Sequence, residues 1–427
     1  MTNSWLRIFG CAVCLWLAGA LTGFAGDLVL LGTTDNPKAL YAPGEKMLFR
    51  IQLEQDGKPV IGRRLNWERT GDDGLSDRGS AQSENEPLLI TTTLGKPGFV
   101  RVLVSAVDDA GEVIKNTSGK KVVFDGGAGV QPEKLRGVAE PADFDDYWGR
   151  QKTRLAKVAL TTLELTPMAE SDAKVETFDI KIASAGGMPV SGYFSKTKGA
   201  EPKSAGARLN FQGYGVTSAT RADAQANDPG KPMLVLTINA HGIENGRAAE
   251  FYENLKQTTL KGYAFDSRKN ANAETAYFNG MVLRVLRALE FLKAQPEWDG
   301  KTLIVSGGSQ GGFQALIAAG LDHQVSYCFA GKPWCCDLGG VTLGRLKGWR
   351  PDYTDALGYF DPINHAKRIR CETSITAGLG DYVCPPSGVA VLYNNIPAGV
   401  PKTIEYRQGA THADAPPRMV KHVVSSK

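Results

Sequence analysis

Gly307-Gly308-Ser309-Gln310-Gly311 carries the pattern G-x-S-x-G and lies between two apolar segments. Residues 302–305 before it predict a short buried strand, and residues 313–319 after it predict a buried helix that ends at Gly320. A strand, a sharp turn and a helix form the context in which this pattern is typical of a nucleophile elbow. At such a turn the serine hydroxyl meets a helix N-terminus, whose dipole and free N–H groups favour developing negative charge. The alternative is an ordinary Gly/Ser-rich loop between two packed elements.

A serine nucleophile needs a base, and the chain offers five histidines: His241, His323, His365, His412 and His422. In α/β-hydrolases the nucleophile precedes the acid and the acid precedes the base, which excludes His241. His323 follows the elbow helix too closely to return across the sheet. His365 at a polar helix start favours a solvated side chain, and His422 lies at a terminus where fraying is expected. His412 lies in a loop after a strand-like segment, where this fold collects its chemistry, so we predict that His412 is the base.

The acid should lie between the nucleophile and the base, also at a strand end. Residues 373–380 predict a strand that ends at Asp381, with Pro385-Pro386 opening the next helix. Asp381 would accept the Nδ1–H of His412 and fix the tautomer of the imidazole. Asp355 and Asp361 are rivals, but they lie in loop or helix-start sequence, which favours a capping or solvent-exposed role.

Acyl transfer also needs two donors for the oxyanion. One is the backbone N–H of the residue after the nucleophile, which is Gln310. The other should follow an earlier strand, and Gln212-Gly213-Tyr214-Gly215 after the apolar segment 207–211 fits that position. We therefore predict that the Tyr214 N–H is the second donor. An ordinary glycine-containing turn is the alternative.

From Pro141 to the C-terminus the sequence resembles carbohydrate esterase family 7, the acetyl xylan esterases and cephalosporin C deacetylases. The resemblance is carried, in the family's order, by residues 144–148, 213–214, 284–292, 307–312, 359–364, 378–381 and 385–387. It implies an α/β-hydrolase with a doubly wound, mostly parallel sheet that removes short acyl groups, chiefly acetyl, from sugars. The ester-hydrolase chemistry that it implies needs no cofactor. Members of the family often form rings, so a homo-oligomer is left open.

The sequence departs from the family's pattern at three places. Gln212 stands where the family usually has histidine, and Ala413 follows His412 where the family usually has glutamate. The family's Arg-Gly-Gln signature is replaced by His241-Gly242-Ile243. These departures leave the substrate open between xylan, other acetylated polysaccharides and small acetylated oligosaccharides.

The N-terminus predicts export. Residues 1–25 contain Arg7, an uncharged run over residues 8–21 and small residues before a cleavage site, which is typical of a secretory signal peptide. No other segment is long and apolar enough to predict a membrane span. The net charge of +4 on 427 residues is too mild to indicate a nucleic-acid partner. We expect a secreted or periplasmic protein that acts on an acetylated carbohydrate.

The cysteines give no metal pattern. Of the seven cysteines, Cys11 and Cys14 would leave with the signal peptide, and five remain in the catalytic region. Export permits disulfides, but their pairing does not follow from sequence. No C-x-x-C spacing or histidine pair supports a metal site. Cys384, near Asp381, is expected to be a packing residue.

Residues 27–125 predict a separate domain. Met47, Phe49, Ile51 and Leu53 alternate with polar residues, and further short alternating strands follow, which is typical of a β-sandwich of the immunoglobulin-like kind. Residues 126–137 are predicted to form a linker, because they begin with a glycine-rich stretch. Residues 138–427 would form the α/β-hydrolase domain. Trp67 and Tyr41 are expected in the core rather than on a sugar-binding face.

Two other classes of protein remain open. A serine peptidase of the prolyl oligopeptidase type has a similar hydrolase domain, but its N-terminal propeller needs more residues than precede the hydrolase here. A non-catalytic glycan-binding protein could keep a vestigial hydrolase fold, although the complete set of Ser309, Asp381 and His412 argues against it. We predict a serine esterase that deacetylates carbohydrates such as acetylated xylan or oligosaccharides through an acyl-enzyme.

Overall fold

The structure is a computed structural model that describes residues 26–169, 173–226, 230–415 and 420–426. The predicted signal peptide, residues 1–25, lies outside the described residues. Within these ranges, no helix combines the length and hydrophobicity that a bilayer crossing requires.

The N-terminal part of the chain folds into two β-sheets. Its strands β1 to β9 are Val29–Thr34, Leu40–Tyr41, Met47–Gln55, Lys58–Pro59, Arg64–Gly71, Asp77–Gln82, Leu88–Thr92, Gly98–Val107 and Val123–Val130. One sheet has the order β1-β3-β4 with β7 also paired to β3, and the other has the order β2-β9-β8-β5-β6. The alternation of apolar residues in β3 buries Met47, Phe49, Ile51 and Leu53, as the sequence predicts. That these sheets form an independent immunoglobulin-like domain stays a prediction.

The structure differs from the expected linker at residues 126–130, because these residues are the end of β9. A Cβ atom on Gly127 would lie 2.4 Å from the Val100 carbonyl oxygen and 2.8 Å from that of Leu379. A Cβ atom on Gly126 would lie 2.3 Å from Gln408 Oε1. The glycines therefore serve close packing between the N-terminal sheet and later loops, and not flexibility.

The rest of the chain builds a ten-stranded sheet with helices. Strands β10 to β19 are Thr162–Pro167, Val175–Ile182, Val190–Thr197, Ala205–Phe211, Met233–Ile238, Trp298–Gly308, Tyr327–Gly331, Glu372–Gly378, Lys402–Arg407 and Lys421–Ser426. Helices α1 to α8 are Phe144–Ala156, Asp223–Ala226, Ala249–Gln257, Ser267–Asn270, Tyr277–Lys293, Gln310–Leu321, Pro362–Ala366 and Pro386–Asn395, and three short 3₁₀ helices are Pro132–Lys134, Leu338–Leu343 and Asp355–Tyr359.

The strand order of the large sheet is β10-β11-β12-β14-β13-β15-β16-β17-β18-β19. Neighbouring strands from β14 to β18 run parallel, while β10, β11 and β12 at one edge and β19 at the other pair antiparallel. The predicted α/β class and mostly parallel sheet are confirmed. Because parallel strands end at the same edge, the loops after β13, β15, β17 and β18 gather at one rim of the sheet.

Helix α6 is the central helix of the fold, and every one of its residues is buried. It packs against β13, β15 and β16 as well as α5 and α7. A helix that is apolar on all sides can only be stable inside the protein. Its small residues allow close approach, since a Cβ atom on Gly320 would lie 2.6 Å from the His365 carbonyl oxygen.

One hydrophobic core joins the N-terminal sheets to the large sheet. Buried residues of β8, such as Phe99, and of β18, such as Tyr406, belong to the same contiguous cluster. The rings of Phe99 and Tyr406 have their centroids 5.8 Å apart. The N-terminal strands therefore pack directly behind the loops that follow β17 and β18.

Candidate active site

Ser309 occupies the sharp turn between β15 and α6. Its backbone has φ 55° and ψ −121°, a conformation that residues other than glycine rarely adopt. Such backbone strain is typical of a functional turn. The turn is held by the Ser309 N–H, which donates to the Gly331 carbonyl at 2.8 Å, and by the Ser309 carbonyl, which accepts from Trp334 N–H at 3.0 Å. The predicted strand, turn and helix around Ser309 are confirmed.

Two of the elbow glycines are required by crowding. A Cβ atom on Gly307 would lie 2.4 Å from the Gly311 carbonyl carbon, and one on Gly311 would lie 2.3 Å from the Phe211 carbonyl oxygen. A Cβ atom on Gly308 would meet its nearest neighbour, the Gly331 oxygen, only at 3.7 Å. A side chain is therefore excluded two residues to either side of Ser309, which are the two glycine positions of the G-x-S-x-G pattern.

The structure brings the predicted nucleophile, base and acid together. Ser309 Oγ lies 3.0 Å from His412 Nε2, and His412 Nδ1 lies 2.9 Å from Asp381 Oδ2. The Asp381 side chain is fully buried, whereas 25% of the His412 side chain is exposed. A proton can pass from the serine to the imidazole while the buried carboxylate stabilises the resulting imidazolium.

Asp381 is oriented by its own loop. Its second oxygen, Oδ1, accepts from the N–H of Cys384 at 2.8 Å and from the N–H of Val383 at 3.1 Å. These bonds turn Oδ2 toward His412. The loop can lie this close to the N-terminal sheet because Gly380 has no side chain, since a Cβ atom there would lie 1.9 Å from the Asp125 carbonyl oxygen.

The loop that carries His412 is held from two sides. The Gln408 side chain accepts from the Gly127 N–H at 3.0 Å and donates to the Gly127 carbonyl at 2.7 Å. Lys332 Nζ donates to the carbonyl of Thr411 at 3.1 Å and also to the carbonyl of His412. His412 is thereby fixed between β9 and the residue that follows β16.

The predicted oxyanion turn lies against the elbow. A Cβ atom on Gly311 would lie 3.1 Å from the Gln212 carbonyl oxygen, and one on Gly213 would lie 4.0 Å from the Gly308 carbonyl oxygen. Tyr214 follows in this turn, and Gln310 is the first residue of α6, whose N–H has no acceptor within the helix. The Gln310 N–H thus lies at the helix start directly after Ser309, and the turn that leads to Tyr214 lies against the elbow. That the Tyr214 N–H is the second donor stays a prediction.

Comparisons with known proteins identify the family of most of the chain. A family model described as acetyl xylan esterase (AXE1) matches residues 133–345 and 350–425. The chain belongs to the acetyl xylan esterase family. It is therefore a carboxylic ester hydrolase that removes acetyl groups, and the resemblance that the sequence suggests is confirmed. The match begins after the N-terminal strands, so β1 to β9 lie outside it.

Individual relatives carry similar names. The chain is 28% identical over 330 residues to the acetyl esterase Axe7A of Xylanibacter ruminicola, covering 72% of this chain and 69% of that protein. A solved acetyl xylan esterase from Paenibacillus sp. R4 aligns with a TM-score of 0.56 at 22% identity, over 67% of this chain and 94% of that one. Acetyl xylan esterase 1 from Thermoanaerobacterium sp. JW/SL YS485 aligns with a TM-score of 0.52 at 24% identity, over 66% and 92%. Both structures share the fold of this acetyl xylan esterase family member.

Tyr263 ties the oxyanion turn to the elbow helix, a role that sequence reasoning missed. Its hydroxyl donates to Gln310 Oε1 at 2.6 Å and accepts from the Gly215 N–H at 3.3 Å. Its ring stacks on that of Tyr214, with centroids 4.4 Å apart and planes 13° apart. A lone tyrosine in a loop carries no periodic or motif signal, so only the tertiary structure reveals it.

His241, excluded as the base, supports the same turn. Its Nε2 lies 2.9 Å from the Gly215 carbonyl, and its Nδ1 lies 2.6 Å from the Tyr277 hydroxyl. Burial lowers the pKa of His241 to about 4, so the ring is neutral and one nitrogen donates while the other accepts. Arg284 completes the network by donating to the Ala240 carbonyl at 2.6 Å. The family's Arg-Gly-Gln position is therefore occupied here by a neutral histidine that buttresses the oxyanion turn.

Cys384 lies next to the predicted acid and base. Ligand-type atoms of Asp381, Cys384 and His412 all lie within 4.8 Å of one another, which a metal ion could use. Burial raises the pKa of the Cys384 thiol well above its usual value, which disfavours the thiolate form. The Asp381 carboxylate and the His412 imidazole already form a hydrogen bond with each other. The three residues are therefore better arranged for hydrogen bonding than for binding a metal ion. The five cysteines in the described ranges are buried free thiols.

Two residues that sequence reasoning set aside have structural roles. Asp361 caps α7 by accepting from the Ile363 N–H, as predicted. His365 was expected to be solvated, but the structure buries it completely. The rings of Phe144 and Trp148 pack on it at centroid distances of 5.0 and 5.4 Å, because α1 covers this face of α7. Burial lowers the pKa of His365 to about 3, which keeps it neutral.

Proposed function

We propose that the protein is a secreted serine esterase that removes acetyl groups from carbohydrates, with Ser309 as nucleophile, His412 as base and Asp381 as acid. The observation that carries this proposal is the unbroken chain of hydrogen bonds from Ser309 Oγ through His412 to Asp381, at 3.0 and 2.9 Å. The chain starts at a strained elbow and ends on a fully buried carboxylate.

Acylation begins when Ser309 Oγ attacks the carbonyl carbon of the acetyl ester. His412 Nε2 takes the hydroxyl proton as the C–O bond forms, and the Asp381 carboxylate stabilises the imidazolium. The carbonyl oxygen becomes an oxyanion that the N–H groups of Gln310 and Tyr214 hold. His412 then gives its proton to the sugar oxygen as that oxygen leaves, which frees the sugar and leaves an acetyl group on Ser309.

Deacylation repeats these steps with water. His412 takes a proton from a water molecule, the hydroxide oxygen attacks the acetyl carbon, and the same two N–H groups hold the second oxyanion. Collapse of this intermediate breaks the bond to Ser309 Oγ, which recovers its proton from His412, and acetate leaves. Every proton transfer uses groups of this chain, so the reaction needs no cofactor.

The substrate class and location are part of the same proposal. The related proteins are named acetyl esterase and acetyl xylan esterase, which supports an acetyl group on a sugar. The segment 1–25 supports export to the periplasm or the medium. We also propose the domain division made from sequence, a β-sandwich over residues 27–125 and an α/β-hydrolase over residues 138–427, although the connecting residues begin inside β9.

Replacement of the nucleophile tests the proposal. Ser309→Ala should lower kcat for acetylated xylan and for p-nitrophenyl acetate by on the order of 10³-fold or more, with an unchanged circular dichroism spectrum. Ser306→Ala is the matched control, because Ser306 lies on the same strand and bonds to Asn210 at 2.7 Å instead. It should keep the activity and the labelling by a fluorophosphonate that Ser309→Ala loses. Turnover retained in Ser309→Ala would show that Ser309 is not the nucleophile.

A further inference from the structure

Trp349 is a large apolar side chain left open to solvent beside the candidate active site. It lies in the loop after the 3₁₀ helix Leu338–Leu343, and 43% of its surface is exposed. Its neighbour Trp334 is 1% exposed. Tryptophan is enriched at binding surfaces because it offers a large apolar ring together with a polar N–H group.

The backbone of Trp349 is fixed to the loop that carries Asp381. The Trp349 N–H donates to the Val383 carbonyl at 3.0 Å, and the Trp349 carbonyl accepts from the indole N–H of Trp334 at 2.6 Å. The preceding Gly348 has φ +67°, and a Cβ atom there would lie 2.5 Å from Pro385. The chain thus makes a tight turn against the acid loop, which holds the indole in one place.

The packed side of the indole rests on the residues around Ser309. Its centroid lies 4.7 Å from that of Tyr214 with the rings at 88°, and 5.6 Å from that of Trp334 with the rings at 28°. Trp334 donates its backbone N–H to the Ser309 carbonyl, and Tyr214 belongs to the oxyanion turn. Trp349 is therefore one ring contact away from Tyr214 and Trp334, the two residues that connect it to the elbow at Ser309.

The chemistry of the proposed substrate calls for such a contact. An acetyl group is small, so most of the binding surface of an acetylated sugar is its ring. Pyranose rings present C–H groups on one face, and these pack well against the flat face of an indole. We propose that Trp349 is the platform on which the sugar ring stacks while its acetyl group enters the site at Ser309. This inference rests on the proposed function and adds the residue that recognises the carbohydrate.

A partly buried tryptophan far along the chain provides the control. Trp67 lies in a groove of about 470 Å³ on the N-terminal sheet, lined also by Asn66, Glu68 and Arg78. Its ring packs over Gly79, where a Cβ atom would come within 2.6 Å of it. Neither the elbow nor the oxyanion turn lines this groove. If the sugar were held there, Trp67 and not Trp349 would govern its affinity.

The experiment compares kcat and KM of the wild type, Trp349→Ala, Trp349→Phe and Trp67→Ala on acetylated xylotriose and on p-nitrophenyl acetate. Trp349→Ala should raise KM for the trisaccharide roughly tenfold more than KM for p-nitrophenyl acetate, which corresponds to about 1.4 kcal/mol of sugar binding. Trp349→Phe should recover most of this difference, because a flat ring remains. Trp67→Ala, checked by its melting temperature, should not change the ratio of the two KM values.

The outcomes separate this inference from the proposed function. An equal change on both substrates, or no change, in Trp349→Ala would overturn the platform, and so would a changed KM ratio in Trp67→Ala alone. Wild-type protein that hydrolyses p-nitrophenyl acetate but no sugar ester would instead overturn the carbohydrate part of the proposed function. Binding of acetylated xylotriose to Ser309→Ala by calorimetry provides a second readout, which the added Trp349→Ala change should weaken by a similar factor.

Discussion

The Gln408 amide connects the N-terminal sheet to the loop that carries His412, and its removal is a sharp test of that connection. The side chain is 5% exposed and makes two hydrogen bonds to the backbone of Gly127, at 3.0 and 2.7 Å. Gln408→Leu keeps a similar volume and removes both bonds. The Gly127 N–H and carbonyl are then left buried without their partner.

The size of the effect follows from the desolvation of these two groups. Each buried backbone group that loses its partner costs about 1–3 kcal/mol. Partial relaxation of the loop reduces the sum, so we expect Gln408→Leu to lower the free energy of unfolding by about 3 kcal/mol. This is a large fraction of the roughly 5–15 kcal/mol that holds a typical domain together. We also expect kcat to fall several-fold, because His412 lies in the loosened loop.

Urea unfolding followed by tryptophan fluorescence measures the change as a shift of the midpoint. Gln52→Leu is the control, because the Gln52 amide makes one exposed bond to the Glu84 carbonyl at 3.0 Å. That variant should stay within about 0.5 kcal/mol of the wild type. If Gln408→Leu also stayed within that range, the two regions would not be coupled through this side chain and the reasoning would be refuted.

Two further predictions concern the site and its acid stability. Asp381→Asn keeps the shape of the acid but stabilises the wrong tautomer of His412, so kcat on p-nitrophenyl acetate should fall by about three to four orders of magnitude. A loss below about tenfold would contradict the assigned acid. Burial lowers the pKa of His241 to about 4 and that of His365 to about 3, whereas unfolded histidines titrate near 6.5. The unfolded chain then binds more protons below pH 6.5, so each histidine should reduce the free energy of unfolding by about 1.4 kcal/mol per pH unit as the pH falls toward its folded pKa. Urea unfolding at pH 7.5, 6 and 5 checks this, and His365→Gln should remove about half of this histidine-dependent loss; an unchanged pH dependence in that variant would count against it.

The positions of the candidate site residues could be predicted because they follow local signals. Ser309 is marked by glycines that its crowded turn requires. Asp381 and His412 each follow an apolar strand, and parallel strands bring their ends to one rim of the sheet. A short pattern and the rule of strand ends therefore suffice to select three residues that the fold brings within hydrogen-bond distance.

Other features could not be predicted, because their causes are tertiary. Glycines 126, 127 and 129 look like a flexible linker, yet they lie in β9, where side chains at 126 and 129 and backbone at 127 leave no room for a Cβ atom. The sequence does not distinguish a glycine that provides backbone flexibility from a glycine that is needed because neighbouring atoms leave no room for a Cβ atom. His365 looks solvated at a helix start, but α1 arrives from more than two hundred residues upstream to cover it. Tyr263 and Trp349 belong to no sequence motif, so their roles could not be predicted.

The N-terminal strands contribute to the candidate site in a way that the division into domains does not express. Arg101 of β8 pairs with Asp125 of β9 at 2.8 and 2.5 Å, and its guanidinium lies 4.5 Å above the ring of Tyr382, the residue after the predicted acid. Burial raises the pKa of Asp125, and the nearby negative charge of Asp381 raises it further, so Arg101 is needed to keep the Asp125 carboxylate charged. A buried charge without its partner is strongly destabilising. The loops that carry Asp381 and His412 thus rest on β9 through Asp125 and through the Gln408 contact, which makes these strands part of the support of the proposed triad.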